Sequence, residues 1–166
     1  MSEGYRAELL VGLRRFVLAA RTLPGVRRIS LVGSIVTPKL DPKDVDVLVT
    51  VTDDVDLSPL ATLGRRLKGH AQSLNRGADI FLANERGEYI GRTCQWKECR
   101  FGVRASCDAR HCGQRPHLHD DLDAVTLGPA LIECPPVTLW PILDIRSAIP
   151  ADLQHFLATL DGMSDE

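Results

Sequence analysis

The stretch ISLVGSIVTPKLDPKDVDVLVTV, residues 29–51, contains two β-strand patterns joined by a short polar connection. The first apolar run ends at Gly33 and Ser34, and nine residues later Asp44 and Asp46 open a run rich in valine. Successive side chains of a strand face opposite sides, so the two aspartates share one face and the valines lie on the other. Neighbouring carboxylates repel each other, and a divalent cation that prefers oxygen ligands relieves this repulsion. The pattern predicts a polar site where the two strands meet.

A third carboxylate follows on another predicted strand. Ser58-Pro59 is typical of a helix start, and a leucine stripe continues that helix to about residue 74. The next apolar segment, GADIFL, begins at Gly77 and carries Asp79 near its start. Strand alternation places Asp79 on the face opposite Ile80, so its carboxylate can point toward the first two acids. The alternative is a capping or turn aspartate.

The order of strand, Gly-Ser, Asp-x-Asp, helix and strand-borne Asp resembles the polymerase-β-like nucleotidyltransferase superfamily, over roughly residues 5 to 85. The resemblance implies transfer of a nucleoside monophosphate from a nucleoside triphosphate to an acceptor. It implies that Asp44, Asp46 and Asp79 are catalytic and hold Mg²⁺. Gly33 and Ser34 would contact the triphosphate. The chain is short and is similar to the minimal members, some of which act with a helical partner protein.

Lys43 precedes the first aspartate directly and is a candidate for a triphosphate contact. An ordinary surface lysine is the alternative. The acceptor stays open between a small molecule, a nucleic acid and a protein, because no motif in the chain specifies it.

Residues 92–119 are rich in cysteine and histidine. Thiolate and imidazole groups at this density suit a tetrahedral, structural Zn²⁺ site. The expected ligands are four of Cys94, Cys99, Cys107, Cys112 and His111. The alternatives are thiols without a metal on a histidine-bearing loop, and a basic, aromatic surface that binds nucleic acid.

Bulk composition points to one ordinary globular domain. Hydrophobic residues make up 44 per cent of the 166 residues, charged residues 25 per cent, and the formal net charge is −2, which argues against a generic nucleic-acid binder. No apolar run approaches the roughly 20 residues that cross a bilayer, so we expect no membrane partner. No signal-peptide pattern opens the chain, and a cytoplasmic location is the default expectation.

These patterns predict an α/β (α+β) fold with a small mixed sheet flanked by helices. We expect a nucleotidyltransferase-like core over residues 1–91 and a Cys/His-rich insertion over residues 92–119. Residues 120–166 would complete the same domain with short strands and a C-terminal helix. The competing functional hypothesis is a non-catalytic, zinc-stabilised module that binds nucleotide or nucleic acid on a transferase scaffold.

Overall fold

The computed structural model describes residues 2–39, 41–97, 107, 109–112 and 114–162. These residues form a mixed α+β fold with four helices and one seven-stranded sheet, which confirms the predicted fold class. The helices are α1 (Ser2–Ala20), α2 (Ser58–Ser73), α3 (Pro129–Glu133) and α4 (Ala151–Gly162). The strands are β1 (Val26–Val32), β2 (Asp44–Val51), β3 (Gly77–Ala83), β4 (Tyr89–Thr93), β5 (Leu118–His119), β6 (Val137–Trp140) and β7 (Asp144–Ile145).

The sheet is ordered β5-β4-β3-β2-β1-β6-β7. The central strands β2 and β3 are parallel, and α2 connects them, as a parallel pair requires a crossover. The other strand pairs of the described residues are antiparallel. The short strands expected after residue 124 do extend the sheet at an edge, as β6 and β7.

The main core lies between one face of the sheet and the three longer helices. The four valines of β2 that alternate with the aspartates are fully buried there. Leu60 and Leu67 of α2 and the apolar side of α1 are buried in the same core. Burial of this apolar surface is the main force that holds the layers together. None of the helices in the described part of the chain combines the length and apolar character that a bilayer crossing requires.

The opposite face of the sheet is covered only in part. A second, smaller cluster packs Leu48 and Phe81 against Ile132 of α3. The guanidinium group of Arg28 donates hydrogen bonds to the carbonyl groups of Ile132 and Glu133 and ties α3 to this face. The part of this face that α3 leaves uncovered includes the N-terminal ends of β2 and β3.

Two details differ from the sequence-based expectations. Strand β4 runs across the predicted boundary at residue 91, because Arg92 and Thr93 pair with β5 and so belong to the sheet. Cys134 ends the apolar run of residues 130–134, a pattern that predicts a core thiol. It is instead exposed, because it follows the last turn of the short helix α3, in which Ile132 is the buried residue.

Candidate active site

Two of the predicted site residues open the central strand β2. Asp44 and Asp46 lie on the sheet face opposite the helices, with the buried Val45 and Val47 on the other side. In the parallel register of β2 and β3, Asp46 is the direct partner of Asp79. Paired residues on adjacent strands face the same side, with roughly 5 Å between the strands. Strand alternation and pairing therefore bring the three aspartates to one face at one end of the sheet.

The charges of these three residues act on one another. The pKa of Asp46 rises from its ordinary value of 3.8 to about 7, first because its carboxyl group is buried, then because of the charges of Asp79 and Asp44. Near neutral pH, the Asp46 carboxyl group is therefore about half protonated when no cation is bound. A bound cation or proton lowers the electrostatic free energy of this cluster.

Glycines provide the space for two of the carboxylates. Gly33 has a φ of +77°, and a Cβ atom at this position would overlap Oδ2 of Asp46. A Cβ atom at Gly77 would overlap Oδ1 of Asp44. A side chain at either position would displace the carboxylate that it faces, and Gly33 also needs glycine for its backbone conformation. The Gly33 of the sequence motif is thus a direct neighbour of the catalytic candidate Asp46.

Asp79 makes an ion pair that the sequence did not predict. Nη1 of Arg92 donates to Oδ1 of Asp79 at 3.2 Å, and Nη2 of the same guanidinium donates to Oδ2 of Asp121 at 2.6 Å. Asp121 is buried, its other carboxylate oxygen has no hydrogen-bond partner, and Nε2 of His119 lies 3.6 Å from Oδ2. Arg92 therefore lies between a site aspartate and a buried acid.

The three aspartates do not form a closed ligand set as they stand. In the described residues, no group of three or more His, Cys, Asp or Glu side chains is placed so that it could hold a metal ion. Their mutual effect on the pKa of Asp46 shows nevertheless that they share one neighbourhood. The ion pair of Asp79 with Arg92 directs that carboxylate toward β4, the neighbouring strand.

The predicted triphosphate contacts lie at the same end of the sheet. Gly33 begins a single 3₁₀ turn, Gly33–Val36, directly after β1. Ser34 is half-buried, and its carbonyl group accepts hydrogen bonds from the amide and the hydroxyl of Thr37. Lys43 has an exposed side chain, while its carbonyl group accepts a hydrogen bond from the Gly77 amide at 2.8 Å. The side chain of Lys43 is thus accessible beside Asp44.

The cysteine and histidine residues are described in part. Cys94 is buried, and Sγ of Cys107 lies 3.8 Å from Nδ1 of His119. Cys112 is half-buried. Cys99 lies outside the described residues, so the predicted set of four zinc ligands stays a prediction.

His111 is bound to an acid rather than to thiols. Its Nδ1 lies 2.5 Å from Oδ2 of Asp120, and its backbone amide donates to Oδ1 at 3.0 Å. Burial acts to raise the pKa of Asp120, but the hydrogen bonds from His111 outweigh it and lower that pKa. One ring nitrogen of His111 is therefore already engaged, and only the other, Nε2, is available to a metal ion.

Comparison with known families places the chain in one of them. Residues 1–110 match a family described as "Family of unknown function (DUF6932)". The chain belongs to the DUF6932 family. No curated protein matches the chain, and no solved structure matches it either.

The DUF6932 match covers α1 through β4 and continues into the cysteine-rich segment. It includes the three aspartates and Arg92. Asp121 follows the matched range, and so do the short strands that close the sheet. The family description assigns no activity to these residues.

Arg92 and Asp121 are the functional candidates that the sequence patterns missed. Arg92 was visible only as one of several basic residues in a cysteine-rich segment, and Asp121 only as part of an acidic run. Recognition of a β3–β4 hairpin in the sequence would have predicted this contact, because Arg92 and Asp79 lie on the same face once the two strands pair. That hairpin has a tight turn at Gly87 and a bulge near Gly91, which hid the second strand.

Proposed function

We propose that this chain is a metal-dependent nucleotidyltransferase that moves a nucleoside monophosphate from a nucleoside triphosphate to an acceptor. The observation that carries the proposal is the direct pairing of Asp46 with Asp79 on adjacent parallel strands, with Asp44 on the same face. A likeness to the polymerase-β-like superfamily supports it, because that superfamily places three carboxylates in this order.

Carboxylate oxygens are the ligands that Mg²⁺ prefers, so the chemistry of the three side chains suits this ion, although they would have to move closer together to bind it. Asp44, Asp46 and Asp79 would hold it, and the raised pKa of Asp46 is the electrostatic reason for a cation to bind there. Bound Mg²⁺ supplies neutralisation of the triphosphate charge and polarisation of the transferred phosphoryl group.

The chain's own residues orient the reactants. Gly33 and Ser34 sit where a triphosphate could approach the backbone closely, and Lys43 offers a flexible cation beside them. Asp79 is oriented by its ion pair with Arg92, which engages Oδ1, and its carboxylate would accept the proton of the acceptor's hydroxyl group.

The test is transfer of label from α-labelled nucleoside triphosphates to a panel of acceptors in the presence of Mg²⁺. Asp44→Asn and Asp79→Asn should each reduce transfer by at least about a hundredfold, since each removes a charge that acts on the reacting phosphate. Asp54→Asn, an exposed acid beyond the other end of β2, is the matched control and should retain activity. Labelling that persists in both site variants would refute the proposal.

The competing hypothesis is a non-catalytic module that binds nucleotide or nucleic acid, and one observation favours it. Arg92 forms an ion pair with Asp79, and an arginine can take the place of a cation as the partner of such a carboxylate. Calorimetric titration with nucleoside triphosphate, with and without Mg²⁺, separates the two. Metal-dependent binding followed by pyrophosphate release supports the enzyme, and binding that is indifferent to Mg²⁺ supports the module.

Three further expectations belong with this proposal. A structural Zn²⁺ held by four of the cysteine and histidine candidates would fasten the segment after β4, and metal analysis of the purified protein tests it. A helical partner protein would follow from the likeness to minimal nucleotidyltransferases, and co-purification tests it. A cytoplasmic location is part of the same proposal, and fractionation of cells that express the protein tests it.

A further inference from the structure

A small cavity lies beside Asp79. Its volume is about 60 Å³. Its walls come from α2, β3, β4 and the residues that follow β4. Three of its lining side chains are cations: Arg65 and Lys68 from α2, and Arg92 from β4.

The two cations on α2 bind uncharged partners. Arg65 donates to the carbonyl group of Trp96 at 3.3 Å and to the hydroxyl of Thr62 at 3.0 Å. Lys68 donates to Oε1 of Gln95 at 2.8 Å. All three acceptors are uncharged, and across the described ranges no carboxylate forms an ion pair with either cation.

Arg92 differs from these two cations, because it is shared between Asp79 and Asp121. The unbalanced positive charge of the cavity therefore comes from α2. The positive charge of Arg65 also acts on His117. The pKa of His117 is lowered, first by burial and then by the charge of Arg65, although Asp56 acts in the opposite direction.

We infer that this cavity binds a phosphate group carried by the acceptor substrate. An arginine and a lysine facing one small space provide several charge-assisted donors, the chemistry that phosphate oxygens require. The position beside Asp79 would bring the rest of the acceptor next to the carboxylate that is proposed to accept its proton. That the ligand is an acceptor rests on the proposed function, whereas phosphate binding at the cavity does not.

The first test uses inorganic phosphate alone, titrated into the ¹⁵N-labelled full chain without nucleotide or Mg²⁺. Amide signals of Gly64, Thr93 and Gln95, which line the cavity, should shift together in a saturable way. Arg65→Gln and Lys68→Gln should each weaken phosphate binding about tenfold, because each removes one charge-assisted hydrogen bond worth roughly 1.5 kcal/mol.

Arg66→Gln is the matched control, because Arg66 is exposed on the same helix and lines a different cavity, between α1 and α2. It should leave phosphate binding unchanged, and thermal unfolding of all three variants checks the fold. The inference is overturned when millimolar phosphate shifts none of the cavity amides, or when Arg65→Gln and Arg66→Gln weaken binding equally.

A second test identifies the source of the phosphate. Ribose 5-phosphate and a 5′-phosphorylated oligonucleotide are compared as competitors of inorganic phosphate and as acceptors of label. Competition with inorganic phosphate by either compound supports the inference when it is lost in the Arg65→Gln variant. The stronger competitor then indicates whether the acceptor is a small sugar phosphate or a nucleic acid. Phosphate binding at the cavity with no transfer to any acceptor would refute the proposed transferase but not the phosphate site. Transfer that Arg65→Gln leaves unchanged would refute the site's role but not the transferase.

Discussion

The Asp46 carboxyl group connects the electrostatics of the site to the stability of the whole domain. In the unfolded chain this group titrates near its ordinary pKa of 3.8, and in the folded protein near 7. A carboxyl group whose pKa is higher in the folded protein than in the unfolded chain makes its full contribution to stability at pH values below the unfolded-state pKa. This contribution is lost as the pH rises through the folded-state pKa. Without a bound cation, Asp46 should therefore make the folded protein progressively less stable between about pH 4 and pH 7.

Asp46→Asn removes this loss. A pKa rise from 3.8 to about 7 corresponds to roughly 4 kcal/mol at 1.36 kcal/mol per pKa unit. Because Asp46 is only half-buried, solvent screening reduces this upper limit, and we expect about 1–2 kcal/mol. For a domain of this size, that difference raises the melting temperature by about 2–8 °C.

The assay is urea and thermal unfolding of both proteins in chelator, from pH 4 to pH 8. At pH 8 the Asn variant should be the more stable one, and near pH 4 the two free energies of unfolding should converge. Adding Mg²⁺ at pH 8 should then stabilise the natural protein and leave the variant nearly unchanged. A free Mg²⁺ concentration of a hundred times the dissociation constant should raise the free energy of unfolding of the natural protein by about 2.7 kcal/mol.

Two outcomes would refute this reasoning. If Asp46→Asn lowers stability at pH 8, the carboxylate is stabilised by partners that outweigh its burial and the neighbouring acids. If both proteins show the same pH dependence, the group does not titrate near neutral pH. Asp54→Asn, at an exposed position, provides the baseline for a change of one charge.

Two further predictions concern backbone space and a buried cation. Gly33→Ala should lower the free energy of unfolding by about 1–2 kcal/mol and displace Asp46, because Gly33 has a φ of +77° and no room for a Cβ atom. The control is Gly69→Ala, at an open position within α2, which should raise the free energy of unfolding by about 0.5–1 kcal/mol. An equal loss of stability in both variants would contradict this prediction. Arg6 is buried and binds Asp152 at 2.7 Å together with three backbone carbonyl groups, so Arg6→Met should destabilise by about 3 kcal/mol in urea unfolding. Hydrogen bonding to Arg6 lowers the pKa of Asp152, so the natural protein should lose stability as pH falls through that pKa, and an Arg6→Met variant that keeps this acid-side loss would show another cause.

Local sequence patterns were sufficient to predict the strands that carry the aspartates. The alternation of β2 predicts that Asp44 and Asp46 share a face, because the side-chain period of a strand is two wherever the strand pairs. The same rule predicts the face of Asp79. The leucine stripe of α2 predicts a helix between them, and a helix of that length makes parallel pairing possible. The composition of residues 120–166 was sufficient to predict short strands and a C-terminal helix.

Pairing between distant segments was not accessible from these patterns. Strands β4 and β5 have five and two residues, and the latter is too short to show a period. The link from Asp79 through Arg92 to Asp121 spans more than forty residues and depends on two such pairings. The cavity that joins Arg65 and Lys68 to Asp79 likewise exists only after α2 packs on the sheet.

The sequence by itself determined the three acidic positions, the faces they occupy and the glycine beside them, because these depend on backbone geometry over a few residues. Only the tertiary structure decided that Asp46 meets Asp79 in register, that Arg92 binds Asp79, and that Arg65 and Lys68 of α2 line a cavity with Asp79. The physical reason is that strand pairing and helix docking are selected by burial of the whole core. Many registers are compatible with each strand alone, and far fewer bury every apolar face at once.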